Sequence, residues 1–74
     1  MPRLYTFENV PASVLNAAIE EWVHHSRNRQ LCRMYFLDGM TADEIADREH
    51  LSVNQIYEVT RKYGKILSAH MDTQ

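Results

Sequence analysis

The stretch from Gly39 to Arg61, GMTADEIADREHLSVNQIYEVTR, decides the fold, because it spells two helices and the turn between them. Thr41-Ala42-Asp43-Glu44 has the form of a capping box. In such a box the threonine hydroxyl accepts from the Glu44 amide, while the Glu44 carboxylate accepts from the Thr41 amide. Ser52 and Gln55 repeat the pattern further along, so Ser52 caps a second helix with Gln55 in the reciprocal position. His50-Leu51-Ser52 is left as a three-residue turn. Ile45 is the apolar anchor of the first helix, and Ala46 stays small where its partner crosses.

Two short helices held by a three-residue turn make a helix-turn-helix, the unit that lays its second helix in the major groove of DNA. The unit needs a small residue midway along the first helix, a left-handed position in the turn, and apolar residues where the second helix leans on the first. Ala46, His50, Leu51, Ile56 and Val59 fall at those places. Two positions depart from the usual chemistry. Glu49 stands where the last turn of the first helix normally offers a large apolar residue. His50 takes the turn position usually given to glycine, although histidine is among the residues that tolerate positive φ.

Working outward, Leu31, Cys32, Tyr35 and Phe36 form the apolar face of a preceding helix. Asp38-Gly39 ends that helix, since glycine enters the left-handed conformation without steric cost. His24-His25-Ser26 marks a break, with Ser26 expected as its N-cap. Before the break, Val14, Leu15, Ala18, Ile19, Trp22 and Val23 recur at helical spacing after Pro11, with Trp22 the expected anchor. Leu4, Tyr5 and Phe7 belong to an extended lead-in available to pack on the body. At the other end, Ile56, Val59, Tyr63, Ile66, Leu67 and His70 keep one side of a long last helix. The stripe crosses Gly64 without changing phase, so one continuous helix is expected, at a glycine cost of about 1 kcal/mol relative to alanine.

From Arg29 onward the chain resembles the fourth conserved region of bacterial sigma factors, the domain that reads the −35 promoter element. The match runs through QLCRMYFLDGMTADEIADREHLSVNQIYEV: an apolar helix ending in Asp38-Gly39, then Met40-Thr41, Asp43-Glu44-Ile45-Ala46, Leu51-Ser52, Ile56 and Val59. The DNA-binding domains of quorum-sensing response regulators share this layout. The resemblance implies a small stand-alone sigma-like protein, of the kind prophages carry. The N-terminal part through about His25 lies outside the resemblance, and the helical spacing along the whole chain gives one all-α domain of four helices over residues 1–74. Residues 1–25 are then an N-terminal extension and bracing helix, and residues 26–74 the sigma region 4-like part.

The same resemblance places Val53, Asn54, Gln55, Tyr57, Glu58 and Arg61 toward DNA, with a recognition helix over residues 53–62. Asn54 and Gln55 have the chemistry to pair with adenine, and Arg61 with guanine or phosphate. Ser52 and the first amides of the helix suit a backbone phosphate. Arg27, Arg29 and Arg33 on the preceding helix, with Lys62 and Lys65, are the expected phosphate-neutralising cations. Quieter readings stand beside these. Gln55 is already used in a capping box, Glu58 is a natural i+4 partner for Lys62, and the arginine cluster is equally a solvated face.

Composition sets the outer limits. The chain of 74 residues carries a formal net charge of −2, low for a dedicated DNA-binding domain. The acidic residues Asp43, Glu44, Asp47 and Glu49 gather on the first helix of the motif. They keep that side off DNA or offer a docking surface to a basic protein. The capped recognition helix with Asn54 and Gln55 makes double-stranded DNA the expected partner, whereas the low net charge and the glutamates favour an alternative. The alternative is a protein-interaction module on the same scaffold, docking on RNA polymerase or forming a homodimer through Ile66, Leu67 and Met71. The single Cys32 cannot form an internal disulfide. No segment reads as a membrane span or signal peptide, so a cytoplasmic setting is expected. The four histidines have no metal-ligand spacing. No nucleophile-and-base pair or glycine-rich phosphate loop is present, so neither a metal nor another cofactor is expected, and no enzymatic activity.

Overall fold

The computed structural model describes Phe7 and residues 10–71, with Met71 as backbone only. These residues form four α-helices and no strand: α1 (Ala12–Trp22), α2 (Ser26–Cys32), α3 (Ala42–Glu49) and α4 (Val53–Met71). Between α2 and α3 the chain continues as a π-helical segment, Arg33–Leu37. The expected lead-in residues Leu4 and Tyr5 lie outside the described residues.

The two capping boxes form as the spacing predicts. Glu44 N–H donates to Thr41 Oγ1 at 3.1 Å and Thr41 N–H to Glu44 Oε1 at 2.8 Å. Gln55 N–H donates to Ser52 Oγ at 3.1 Å and Ser52 N–H to Gln55 Oε1 at 3.0 Å. Between them His50 adopts φ 59° and ψ 42°, the left-handed conformation expected of it. Its amide and that of Leu51 both donate to the Ala46 carbonyl, the latter at 2.9 Å. Three-centre closure of this kind satisfies a carbonyl left orphaned at the end of α3. α3 and α4 are therefore joined by a rigid turn of three residues.

The chain stops being helical at Asp38-Gly39, as expected, but its last turn is π-helical, which the sequence did not predict. The π-segment is a wider turn, with Asp38 N–H donating to Arg33 C=O at 2.9 Å. Gly39 (φ 75°) then reverses the chain, and Met40 N–H reaches back to Met34 C=O at 3.0 Å. The widened turn gives one stretch of chain two inward faces. Leu31, Met34 and Tyr35 enter one apolar cluster, whereas Cys32 and Leu37 enter another and Phe36 touches both.

The first cluster joins α2 and the π-segment to α3 and the start of α4, through Ile45, Ala46 and Ile56. The second gathers Leu15, Ile19 and Val23 of the α1 region with Tyr63 and Leu67 of α4. Ile19, Val23, Ile45, Ile56 and Leu67 are completely shielded from solvent. Each such side chain contributes about 1.5–3 kcal/mol of burial. α4 spans both clusters without interruption at Gly64, as the phase of its stripe predicts. Its one buried polar side chain, Thr60, donates to the Ile56 carbonyl at 2.9 Å, so no polar group is stranded there.

Three expectations for the α1 region are corrected. α2 begins at Ser26, and His25 is its N-cap residue with no side-chain cap. Val14 is half exposed rather than part of the core stripe. Trp22 is not the central anchor: Leu15, Ile19 and Val23 occupy the centre, and Trp22 sits at the margin. There its ring stacks on the exposed His70, centroids 3.6 Å apart and planes at 6°. Phe7 packs edge-on against Phe36 at 5.2 Å, as a lead-in residue packing on the body should.

Candidate functional site

The candidate surface is the outward side of α4. Ile56, Thr60, Tyr63 and Leu67 turn inward with Val59 and Ile66 beside them, so the opposite side of the helix faces away. Asn54, Glu58, Arg61 and Lys65 recur at spacings of four, three and four and are all exposed. They form one row along the helix, flanked by Tyr57 and Lys62. From Asn54 to Arg61 this row is about 10 Å long at 1.5 Å per residue, or about three base pairs of duplex.

Several residues expected at this surface are placed otherwise. Val53 is half-buried and packs against the first cluster, so it supports α4 instead of projecting from it. Gln55 is exposed, but its side-chain oxygen accepts from the Ser52 amide and hydroxyl, at 3.0 and 3.3 Å. Bidentate pairing with N6 and N7 of an adenine needs that same oxygen to accept from N6, so such a role would break the cap. Ser52 likewise spends its hydroxyl on Gln55. Asn54 is exposed and its side chain makes no hydrogen bond among the described residues.

The basic cluster of the α2 region does not form a shared surface. Arg33 donates through Nε to Asn16 Oδ1 at 2.7 Å and pairs with the Glu20 carboxylate, tying the π-segment to α1. Arg29 donates through Nη1 to the carbonyls of Val23 and His24, at 2.9 and 3.1 Å, just beyond the end of α1. Only Arg27 of the three is exposed with no recorded contact among the described residues. Asn16, Glu20 and Asn28, whose amide reaches the Tyr63 hydroxyl at 3.5 Å, carried no signal in the sequence. Polar links of this kind have no period along the chain.

The electrostatics of the α4 face follow from four side chains. Glu58 and Arg61 cancel over residues 53–61, and Lys62 and Lys65 add positive charge one turn later. The Glu58–Lys62 pair expected from i+4 spacing is not formed. Lys62 Nζ lies over the Tyr63 ring instead, 5.4 Å from its centroid. Glu49, the acidic residue at the end of α3, is half-buried and accepts from Gln30 Nε2 at 3.5 Å.

The surface for self-association is thinner than its residues suggested. Leu67 is fully buried in the second cluster and Ile66 packs against it, while the side chain of Met71 lies outside the described residues. Among the described residues the exposed large hydrophobic ones are Val14 at 50% and Tyr57 at 45%, too far apart in the chain to form a strip on one helix. Among the described residues, no group of three or more His, Cys, Asp and Glu side chains is placed to hold a metal. No described helix is long and apolar enough to cross a membrane.

No protein-family model matches the chain, and neither the curated proteins nor the solved structures contain a match to it.

Proposed function

We propose that this chain is a DNA-binding transcriptional regulator of sigma-like helix-turn-helix type, with α4 as the recognition helix. The observation that carries the reading is the row Asn54, Glu58, Arg61 and Lys65. It projects from the far side of a helix whose start is fixed by a side-chain cap and a rigid turn. Preorganisation of that kind lets a helix enter the groove with little entropy left to lose. Asn54 and Arg61 supply base-edge chemistry for adenine and guanine, and Lys62, Lys65 and Arg27 supply contacts to phosphate. Arg29 and Arg33 are left out of the phosphate set, because each is half-buried and already bonded within the fold. The interaction-module alternative, whether RNA polymerase docking or a homodimer, has no exposed apolar strip among the described residues to favour it.

Binding to random and promoter-like duplexes, titrated with salt, tests the proposal. With three to four cations on phosphate, the slope of log K against log salt should be about −3. Arg61→Ala should weaken binding and, where Arg61 touches phosphate, reduce that slope by about 1. Absence of binding at low salt overturns the reading.

A further inference from the structure

We infer that Glu58 determines specificity: its carboxylate selects a cytosine within the element that α4 reads, and penalises every other register on DNA. The inference rests on the DNA-binding reading above and names the part of the ligand that one side chain recognises.

Three observations lead to it. Glu58 lies within the outward row, between Asn54 and Arg61, and is exposed. Its carboxylate is not neutralised by the residue placed to do so, since Lys62 lies over the Tyr63 ring. Among the described residues the one ion pair recorded is between Arg33 and Glu20, on a different part of the molecule. An open acceptor thus stands in the middle of a row whose other charges are positive.

A carboxylate in a major groove has a narrow choice of partner. It accepts only, so the base edge must donate and must not present an acceptor beside the donor. Cytosine offers N4–H₂ alone, whereas the adenine amino group lies next to the N7 acceptor and guanine presents two acceptors. Away from such a partner the carboxylate faces phosphates and base acceptors, both of which repel it. The low net charge of the chain then has a use. Specificity is a difference of affinities, and a repulsive group widens it by weakening the wrong complexes.

The spacing fixes where the cytosine stands. Glu58 is one turn beyond Asn54 and slightly less than one turn before Arg61, placing its base pair between those the two neighbours reach.

The test compares wild type with Glu58→Gln and Glu58→Ala on a pool of randomised duplexes, sequencing the bound fraction. Dissociation constants are then measured for the enriched duplex, for that duplex with the one C·G pair changed to T·A, and for the random pool. Circular dichroism of each variant verifies the fold, which an exposed position leaves unchanged. Wild type should lose about tenfold in affinity on the C·G to T·A change. Glu58→Ala should bind the random pool several-fold tighter and lose enrichment at that position alone. Glu58→Gln should move the preference there toward adenine, because an amide offers both a donor and an acceptor.

Wild type that binds DNA without enriching cytosine, or variants that keep the wild-type enrichment, overturn the role of Glu58 and leave the DNA reading intact. Wild type that binds no duplex overturns both.

Discussion

The two apolar clusters share α4 but are closed in different ways. The cluster around Ile45 and Ile56 is bounded by local devices: a capping box at Thr41, a left-handed His50, a second box at Ser52. The cluster around Ile19 and Leu67 is closed by contacts between distant residues. Arg33 reaches Asn16 and Glu20, seventeen and thirteen positions away, and Trp22 stacks on His70. The first half is therefore held by contacts between near neighbours in the chain, the second by contacts across it. A surface that must meet a ligand with fixed geometry is better built on the first kind of support. The outward row begins there, at the start of α4.

Whether one helix couples the two halves is open to a direct attack. Ile45→Ala in the first cluster and Ile19→Ala in the second each remove a fully buried branched side chain. Each should cost about 2–5 kcal/mol, a large share of the total stability of so small a domain. Because α4 belongs to both clusters, both variants should unfold in a single transition. Trp22 fluorescence, which reports on the second cluster, should coincide with helix content followed by circular dichroism. Displaced curves in Ile45→Ala would show that the halves melt separately.

The next largest effect lies in the second cluster and depends on pH. Burial pushes the Cys32 thiol from 9.0 up to about 12. The folded state therefore holds this proton more tightly than the unfolded chain. The stability it contributes is complete below about pH 9 and is lost as pH rises from there through about 12, at up to about 1.4 kcal/mol per pH unit. Denaturant unfolding across pH 8 to 10.5 should show a shallower decline in Cys32→Ala than in wild type. Parallel declines would place the thiol in water. Alkylation of native Cys32 should correspondingly be slow and accelerate only with unfolding.

The contrast between the halves also explains what could be read from the chain. Thr41, Glu44, Ser52 and Gln55 act within a span of three residues, so their pairing is written in the spacing. The same is true of Asp38-Gly39 and of the turn at His50. Periodicity located α4 through Gly64 and placed Ile56, Tyr63 and Leu67 inside. It misjudged Val14 and Trp22, because a stripe gives direction but not how far the neighbouring elements extend to cover it. It also missed the π-segment, whose extra residue satisfies two clusters at once. At the candidate site, exposure of Asn54, Glu58 and Arg61 was legible. The commitments of Arg29, Arg33 and Lys62 were not, since each depends on a partner that only the assembled fold brings near.

Smaller perturbations sharpen the distinction. Thr41→Ala removes the cap of α3 and should cost about 1 kcal/mol. Gly39→Ala should cost a comparable amount, about 1 kcal/mol, for the left-handed backbone alone. An added Cβ there meets no atom within 4 Å, so no clash contributes. Both should lower the denaturant midpoint while leaving m unchanged. A larger loss in Gly39→Ala would mean that the reversal after the π-segment is under more strain than its dihedral angle suggests.

The smallest effect on stability carries the most information about the site. Arg33 and Glu20 are partly exposed, at 33% and 56% of their side chains. Ion pairs in that setting contribute less than about 1 kcal/mol. Arg33→Ala should therefore shift unfolding only slightly. Arg33→Ala and Arg61→Ala remove the same charge from the chain, so a purely long-range electrostatic effect would weaken DNA binding equally in both. If the proposed surface is right, the two separate: Arg61→Ala loses affinity, while Arg33→Ala stays within about twofold of wild type, since its guanidinium already faces Asn16 and Glu20. Equal losses would move the phosphate contacts toward the π-segment and take α4 out of the groove.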